Sequence, residues 1–164
     1  MGPKWLQLAY KEIGVKETPG SQNSKTVVAY FNDAQHPEVK ADEVPWCAAF
    51  VGAMLKRAGI RSSESLMARS YEKWGQPLNK PILGCIGVKK RPGPGWSGHV
   101  GFVVGLTKTT VILLGGNQGD KVSIASFPRS QFTGFRWPAN IPVPKDLPAL
   151  PSSVAGAEGN VSQA

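Results

Sequence analysis

The chain changes from a helical to a two-residue hydrophobic period at about residue 82, and this change restricts the possible folds more than any other feature. Strand-like runs follow at 82–88, 99–106, 111–116, 121–127 and 134–137, with no helical segment between them. Such strands must pair antiparallel, because a parallel pair needs a crossover of about a dozen residues or more. The order therefore predicts an α+β fold in which N-terminal helices pack on a C-terminal antiparallel sheet.

Four segments in the first half of the chain carry apolar residues at helical spacing. They are residues 3–13, a segment capped by Ser24, residues 45–59 and residues 63–74. With 164 residues, of which 41% are hydrophobic, the chain can bury one core, so we expect one domain. After Pro138 the composition turns to proline and small residues without apolar periodicity. We therefore expect a folded domain over residues 1–138 and a largely disordered tail over residues 139–164.

The charge of the chain suggests a polyanionic partner. Nineteen Lys and Arg residues against eleven Asp and Glu residues give a net charge of +8, which suits nucleic acid, an anionic membrane or cell-wall anions. Three consecutive basic residues at 89–91 lie in a predicted loop. No zinc-type cysteine spacing and no phosphate-binding GxxxxGK motif occurs, so we predict neither a metal ion nor another cofactor. The N-terminal residues form no sustained apolar run, so we expect no secretory signal, no stable membrane insertion and synthesis in the cytoplasm.

The stretch PWCAAFVGAMLKRAG (45–59) places Cys47 in the first turn of an amphipathic helix. Pro45 suits the start of a helix and Gly59 suits its end. The positive end of the helix dipole favours the thiolate, which is the form that attacks carbonyl carbon. Cys47 is therefore a candidate nucleophile, although a cysteine beside aromatic residues is also a common core residue. Cys85 is expected to be a buried strand residue, with no disulfide between the two thiols.

The chain offers only two histidines as a base. His36 lies in a polar loop and is expected to face solvent. His99 begins a strand after a glycine-rich loop, at the rim of the sheet, where it can form a thiolate–imidazolium pair with Cys47. An imidazole in this role needs an acceptor on its other nitrogen, and Asn117, at the end of the next strand, is the candidate. Asp120 is the competing orienting residue, but its position is more typical of a turn carboxylate.

Three motifs follow one another along the chain: WCAAFV around Cys47, GHVGF around His99 and LGGNQGD around Asn117. Together they resemble the CHAP and NlpC/P60 superfamily of papain-like cysteine peptidases and amidases, in its bacterial and phage branch. The resemblance runs from about residue 4 to Pro138. The chain departs from the pattern at Cys85, where relatives commonly carry Asp.

The resemblance implies a papain-like fold and a peptidoglycan hydrolase, either a cysteine endopeptidase or an N-acetylmuramoyl-L-alanine amidase. Cys47 would attack an amide of the stem peptide, His99 would transfer the proton and Asn117 would orient His99. The backbone amide of Cys47 would supply part of the oxyanion hole. The residues expected to contact the substrate are Trp46, Gln118 and Trp96.

The biological setting has two alternatives, a phage endolysin and a secreted antibacterial effector. Both would act on peptidoglycan in the periplasm or cell wall after delivery by a holin or a secretion system, and an effector would also have an immunity protein as partner. Nucleic acid is not expected as a partner of this hydrolase. The rival function is a non-catalytic basic module that binds the cell wall or DNA. It would explain the charge but not the order of the cysteine, histidine and asparagine motifs.

Overall fold

The computed structural model describes residues 2–16, 25–38, 46–91 and 97–159. Within those ranges the α-helices are α1 (Lys4–Tyr10), α2 (Lys25–Asp33) and α3 (Cys47–Arg57). The strands are β1 (Gln76–Pro77), β2 (Ile86–Lys90), β3 (Gly98–Leu106), β4 (Thr110–Gly115), β5 (Ser123–Pro128), β6 (Phe132–Trp137) and β7 (Glu158–Gly159). Two 3-10 helices cover Ala68–Lys73 and Arg129–Gln131. None of the described helices is long and apolar enough to cross a membrane.

All of these strands belong to one sheet, in the order β1-β6-β2-β3-β4-β5-β7. Every neighbouring pair is antiparallel except β5 and β7, which run parallel. The three α-helices precede the sheet in the chain, so the predicted α+β class is confirmed. β3 is the central strand, and its register places His99 directly opposite Lys89 of β2.

Every residue of α3 from Cys47 to Leu55 is buried, and this fixes the position of the first residue of the helix. On the sheet side, Phe50 packs edge-on against Phe102 of β3, with ring centroids 6.2 Å apart. On the opposite side, a Cβ atom on Gly52 would lie 3.0 Å from the Cβ atom of Ala34, so glycine lets the chain after α2 approach closely. A helix held between two layers cannot rotate or slide without losing apolar contacts. Cys47, at its N-terminus, is therefore held in place by packing.

The segment 63–74 differs from the prediction, because it forms a 3-10 helix over Ala68–Lys73 and no α-helix. The Oγ atoms of Ser62 and Ser63 accept hydrogen bonds from backbone amides two residues further on. Serine side chains that bind nearby amides in this way compete with the helical hydrogen bonds. Glu64 also has a φ of 60°, which lies in the left-handed region and is incompatible with an α-helix.

The strand β2 continues to Lys90, although the sequence predicts that a basic loop begins at Lys89. Lys89 is fully buried, whereas Lys90 is exposed. Side chains alternate between the two faces of a strand, so Lys89 and Lys90 project to opposite faces of the sheet. The prediction that these basic residues form one exposed loop is therefore wrong for Lys89.

The chain after Pro138 lies against the domain as far as β7, whereas the sequence predicts a largely disordered tail. The Leu106 amide donates a hydrogen bond to the Pro151 carbonyl at 2.9 Å, and β7 adds to the edge of β5. Prolines restrict the unfolded chain, so less conformational entropy is lost when such a segment becomes ordered. Residues 160–164 lie outside the described part of the chain. Four partly buried apolar residues anchor this tail: Ile141, Val143, Leu150 and Val154.

Candidate active site

Cys47 is the first residue of α3, and its thiol lies beside the start of β3. The backbone amides of Val100, Ala48 and Cys47 itself lie close enough to the sulfur to favour its thiolate. Val100 directly follows His99 in β3, so the thiol lies next to the backbone that carries the predicted base. The predicted helix start at Pro45 lies outside the described residues. Only 3% of the Cys47 surface is exposed.

This burial decides the protonation state of the thiol. Burial raises the pKa of Cys47, and the opposing effects of the backbone hydrogen bonds and of the Arg91 charge do not reverse the shift. The helix dipole alone favours a thiolate, but desolvation of a fully enclosed sulfur has the larger effect. The resting group is therefore a neutral thiol, where the sequence led us to expect a thiolate paired with an imidazolium. To act as a nucleophile, Cys47 would therefore have to lose its proton during the reaction rather than before it.

His99 is fully buried near the start of β3. Its Nε2 atom lies 2.9 Å from Oε1 of Gln118, and the ring centroid of Phe127 lies 5.3 Å from that of the imidazole. Its Nδ1 atom has no hydrogen-bond partner in the structure, so the bond from the Cys47 thiol is not formed in this state. Burial lowers the pKa of His99 to about 4, although the hydrogen bond with Gln118 acts in the opposite direction. The imidazole is therefore neutral at pH 7.

The hydrogen bonds of Gln118 determine which nitrogen of His99 carries the proton. Its Nε2 atom donates to the backbone carbonyls of Leu113, at 3.3 Å, and Ser123, at 2.8 Å. Carbonyl oxygens only accept, so the amide cannot be flipped and its Oε1 atom must face His99. The Nε2 atom of His99 therefore donates to Gln118, and Nδ1 carries the lone pair. A neutral imidazole in this tautomer can accept a proton from a thiol through Nδ1.

Two adjacent glycines provide the space that this arrangement needs. A Cβ atom on Gly115 would lie 2.4 Å from Oε1 of Gln118 and 3.6 Å from Nε2 of His99. On the opposite face of the strand end, a Cβ atom on Gly116 would lie 2.6 Å from the Cβ atom of Phe50 in α3. Gly115 therefore leaves room for the hydrogen bond to His99, and Gly116 lets the cysteine helix approach the sheet.

No family model matches this chain, and no curated protein matches it. Its chemistry is therefore inferred from the geometry of Cys47, His99 and Gln118.

The orienting hydrogen bond predicted for Asn117 is made by Gln118 instead. The Oδ1 atom of Asn117 is buried without a hydrogen-bond partner in the structure, and its φ of 58° is left-handed. Gln118 has a longer side chain, which reaches His99 and two backbone carbonyls at once. Asp120, the competing candidate, is exposed in the turn with a φ of 61°, as expected of a turn residue.

The residues expected to contact substrate do not form a described binding surface. Trp46 is fully buried and stacks on Tyr30, with ring centroids 5.9 Å apart, so it has no surface to offer a substrate. Gln118 is fully buried and bound to His99. Trp96 lies outside the described residues. Among the residues that the structure describes, no group of three or more His, Cys, Asp and Glu side chains could hold a metal ion.

The remaining histidine, His36, contacts other residues, and the remaining cysteine, Cys85, is a buried thiol. His36 is partly exposed, and its ring nitrogens lie 2.7 Å from a carboxylate oxygen of Glu38 and 2.7 Å from the backbone oxygen of Glu64. Cys85 is fully buried, as predicted, and burial raises its pKa to about 12. Both cysteines are free thiols. Cys47 is thus the thiol beside the base, and Cys85 is a core residue.

Lys89 is the charged residue of the site that the sequence motifs do not indicate. It is fully buried and stands opposite His99 in the sheet, and its Nζ atom lies 5.1 Å from the ring centroid of Phe127. Burial and the Arg91 charge lower the pKa of Lys89 to about 8, while a thiolate at Cys47 would act in the opposite direction. Lys89 therefore remains mostly protonated at pH 7. Strand periodicity gives no signal for it, because Gly87 and Val88, on opposite faces of β2, are both buried.

Proposed function

We propose that this chain is a cysteine hydrolase that cleaves an amide or peptide bond of the peptidoglycan stem peptide, with Cys47 as nucleophile and His99 as general base. One observation carries the proposal: the tautomer of the buried His99 is fixed by Gln118, and its Nδ1 lone pair has no donor in the structure, beside the thiol helix. A buried polar atom without a partner costs about 1–3 kcal/mol, so folded proteins rarely keep one without a role. A thiol can donate a hydrogen bond to such an atom.

The reaction then needs no ion pair in the resting enzyme. The proton of the Cys47 thiol moves to Nδ1 of His99 as the sulfur bonds to the carbonyl carbon, and the carbonyl electrons move to oxygen. Collapse of this intermediate breaks the C–N bond, and the His99 imidazolium gives its proton to the leaving nitrogen. Water, deprotonated by His99, then hydrolyses the thioester to a carboxylate and restores the thiol. The thiol–imidazole bond that is absent at rest would form when the substrate binds, as catalytic hydrogen bonds commonly do.

The start of α3 supplies donors for the oxyanion. The amides of Cys47 and Ala48 already lie close to the sulfur, so an oxygen that develops on the attacked carbon would lie close to them. They also lie at the positive end of an 11-residue helix. Fixed donors aimed at a developing charge need no reorganisation during the reaction and are among the largest contributions to catalysis.

The papain-like fold and the substrate class belong to the same proposal. A buried helix that begins with the nucleophile and packs on an antiparallel sheet that carries the base supports the papain-like arrangement. The net charge of +8 suits an anionic cell wall, and the WCAAFV, GHVGF and GGNQ motifs support peptidoglycan as substrate. A phage endolysin and a secreted effector with an immunity protein both remain proposals, each acting in the periplasm or cell wall after delivery. A non-catalytic basic module gives no reason for the fixed His99 tautomer.

The test is digestion of purified sacculi by wild-type protein, by Cys47→Ala and by the matched control Cys85→Ala, followed by mass spectrometry of the released muropeptides. Wild type and Cys85→Ala should release fragments, and Cys47→Ala should release none while keeping its thermal transition nearly unchanged. A free amino terminus at L-alanine would identify an amidase, and one further along the stem would identify an endopeptidase. Fragments released by Cys47→Ala, or none released by wild type, would contradict the proposal.

A further inference from the structure

Lys89 and His99 form a cross-strand pair on the same face of the sheet. They stand directly opposite each other in β2 and β3, and both are fully buried. Residues directly opposite in an antiparallel pair have Cβ atoms about 5 Å apart and project to the same face. The ring of Phe127 contacts both groups, with its centroid 5.1 Å from the ammonium nitrogen and 5.3 Å from the imidazole centroid. The ammonium and the imidazole thus share one enclosed environment.

Lys89 is one of several charged or titratable groups near His99. Arg91, just after β2, also acts on the imidazole, and Arg69 of the 3-10 helix lies over Gly98 and forms an ion pair with Glu72 at 2.9 Å. The neighbours from α3 and β5 are the Cys47 thiol and the apolar Phe127 ring, and Gln118 is neutral. Among the described residues, the charges that act on His99 are those of Lys89 and Arg91, and both are positive.

We propose that Lys89 is a positioning residue that disfavours the imidazolium form of the buried His99 across the strand pair, so that a proton taken from the Cys47 thiol is held weakly and passed on readily. Two positive charges on directly opposed residues of a sheet repel each other, and low solvent exposure strengthens the repulsion. An ammonium that stays charged at pH 7 therefore disfavours an imidazolium across the strand pair. The Lys89 charge thus lowers the pKa of His99, as burial does.

The catalytic consequence rests on the proposed function. The His99 imidazolium exists only after it has taken the thiol proton, and Lys89 makes that imidazolium a stronger acid. A stronger acid returns its proton more readily to the leaving nitrogen, which is the second half of the reaction. The same positive charge favours the transient thiolate of Cys47. A Cys47 thiolate raises the pKa of Lys89, and this attraction is mutual. Lys89 would thus act on both partners without touching the substrate.

The experiment is a histidine NMR titration, which needs no substrate. The chain contains two histidines, so the spectrum should show two imidazoles, and a His36→Gln variant assigns them. In the wild-type protein we expect His36 to titrate, whereas His99 should stay neutral down to about pH 4. A wild-type His99 midpoint at or above 6.5, the usual value for histidine, would overturn the proposal without any variant.

Three variants isolate the charge. Lys89→Met keeps the unbranched apolar part of the side chain and removes the charge, so the His99 midpoint should rise by about 1 pH unit. Lys89→Arg keeps the charge and should restore a midpoint close to wild type. Lys90→Met removes an exposed charge from the next residue, on the opposite face, and should leave His99 unchanged. An unchanged midpoint in Lys89→Met, or an equal shift in Lys90→Met, would overturn the proposal.

The two proposals fail separately. If sacculi are not cleaved but the midpoint rises in Lys89→Met, the hydrolase function fails and the charge coupling stands. If sacculi are cleaved and the midpoint does not move, the hydrolase stands and Lys89 has no influence on its base. Where the protein is active, the acid limb of its kcat/KM profile should shift upward with the NMR midpoint in Lys89→Met.

Discussion

Replacing Gln118 with Met tests whether this residue, and not Asn117, orients the base. The side chain of Gln118 makes three buried hydrogen bonds: with His99 at 2.9 Å, with the Leu113 carbonyl at 3.3 Å and with the Ser123 carbonyl at 2.8 Å. Methionine has a similar shape and makes none of them. The bond to the Leu113 carbonyl is the longest and contributes least. Loss of the other two leaves His99 and the Ser123 carbonyl buried without this hydrogen-bond partner. We therefore expect the free energy of unfolding to fall by roughly 2–4 kcal/mol.

The effect on the reaction follows from the tautomer of His99. Without the acceptor on Gln118, the Nε2–H form loses about 1–3 kcal/mol of preference, so Nδ1 less often carries the lone pair. At about 1.4 kcal/mol for each factor of ten, the rate should fall about 10- to 100-fold. Gln118→Glu accepts the same hydrogen bond and should retain more activity than Gln118→Met. It should also lose more stability, because its carboxylate would face two carbonyl oxygens.

The assay is the rate of fragment release from sacculi, with thermal unfolding measured on the same samples and nitrogen NMR reporting the His99 tautomer. Asn117→Gly is the matched control, because glycine tolerates the φ of 58° that alanine would strain. We expect Asn117→Gly to keep most of its activity and the wild-type tautomer. The reasoning is refuted if Gln118→Met, still folded, hydrolyses at the wild-type rate while Asn117→Gly is impaired.

Three further outcomes can be measured directly. Gly115→Ala should affect the rate of fragment release more than the free energy of unfolding, because its Cβ atom would lie 2.4 Å from Oε1 of Gln118. Rate and unfolding measurements on the same samples check this. In the folded protein at pH 7, iodoacetamide should label both cysteines more slowly than a free thiol, and Cys85 more slowly than Cys47, by mass spectrometry of timed samples; labelling of Cys85 first would contradict this. Unfolded His99 takes up a proton as pH falls through 6.5, whereas burial holds its folded pKa at about 4, so unfolding free energy should drop by about 3 kcal/mol across that window. Denaturant titrations of His99→Gln should lack this drop.

The sequence predicted the parts of the site that begin a secondary-structure element. Cys47 starts a helix and His99 stands near the start of a strand, and capping and periodicity mark such positions. The choice between Asn117 and Gln118 was not predictable, because it depends on a left-handed residue in the turn after β4. A shift of one position in that turn decides whether Asn117 or Gln118 contacts the imidazole. The hydrophobic period of the sequence does not indicate which of the two it is.

Lys89 and the tail were missed for two different reasons. Consecutive basic residues followed by glycine and proline are typical of a loop, and a fully buried lysine is rare, so composition points away from the structure at Lys89. The chain after Pro138 follows the surface of the domain without a helix or strand before β7. Its few apolar residues meet that surface at irregular intervals, so they show neither the helical nor the strand period.

The short strand β7 covers part of the edge of the sheet at β5, where another copy of the chain could pair. Without it, the described part of β5 would present backbone N–H and C=O groups along the edge of the sheet, which is a template for pairing with another copy of the chain. The ion pair of Lys121 with Glu158, at 3.0 Å, also places charged side chains along this edge, and charge there discourages a second molecule from adding a strand. A proline-rich segment outside the cysteine–histidine site therefore covers part of the sheet edge at which a second copy of the chain could add a strand.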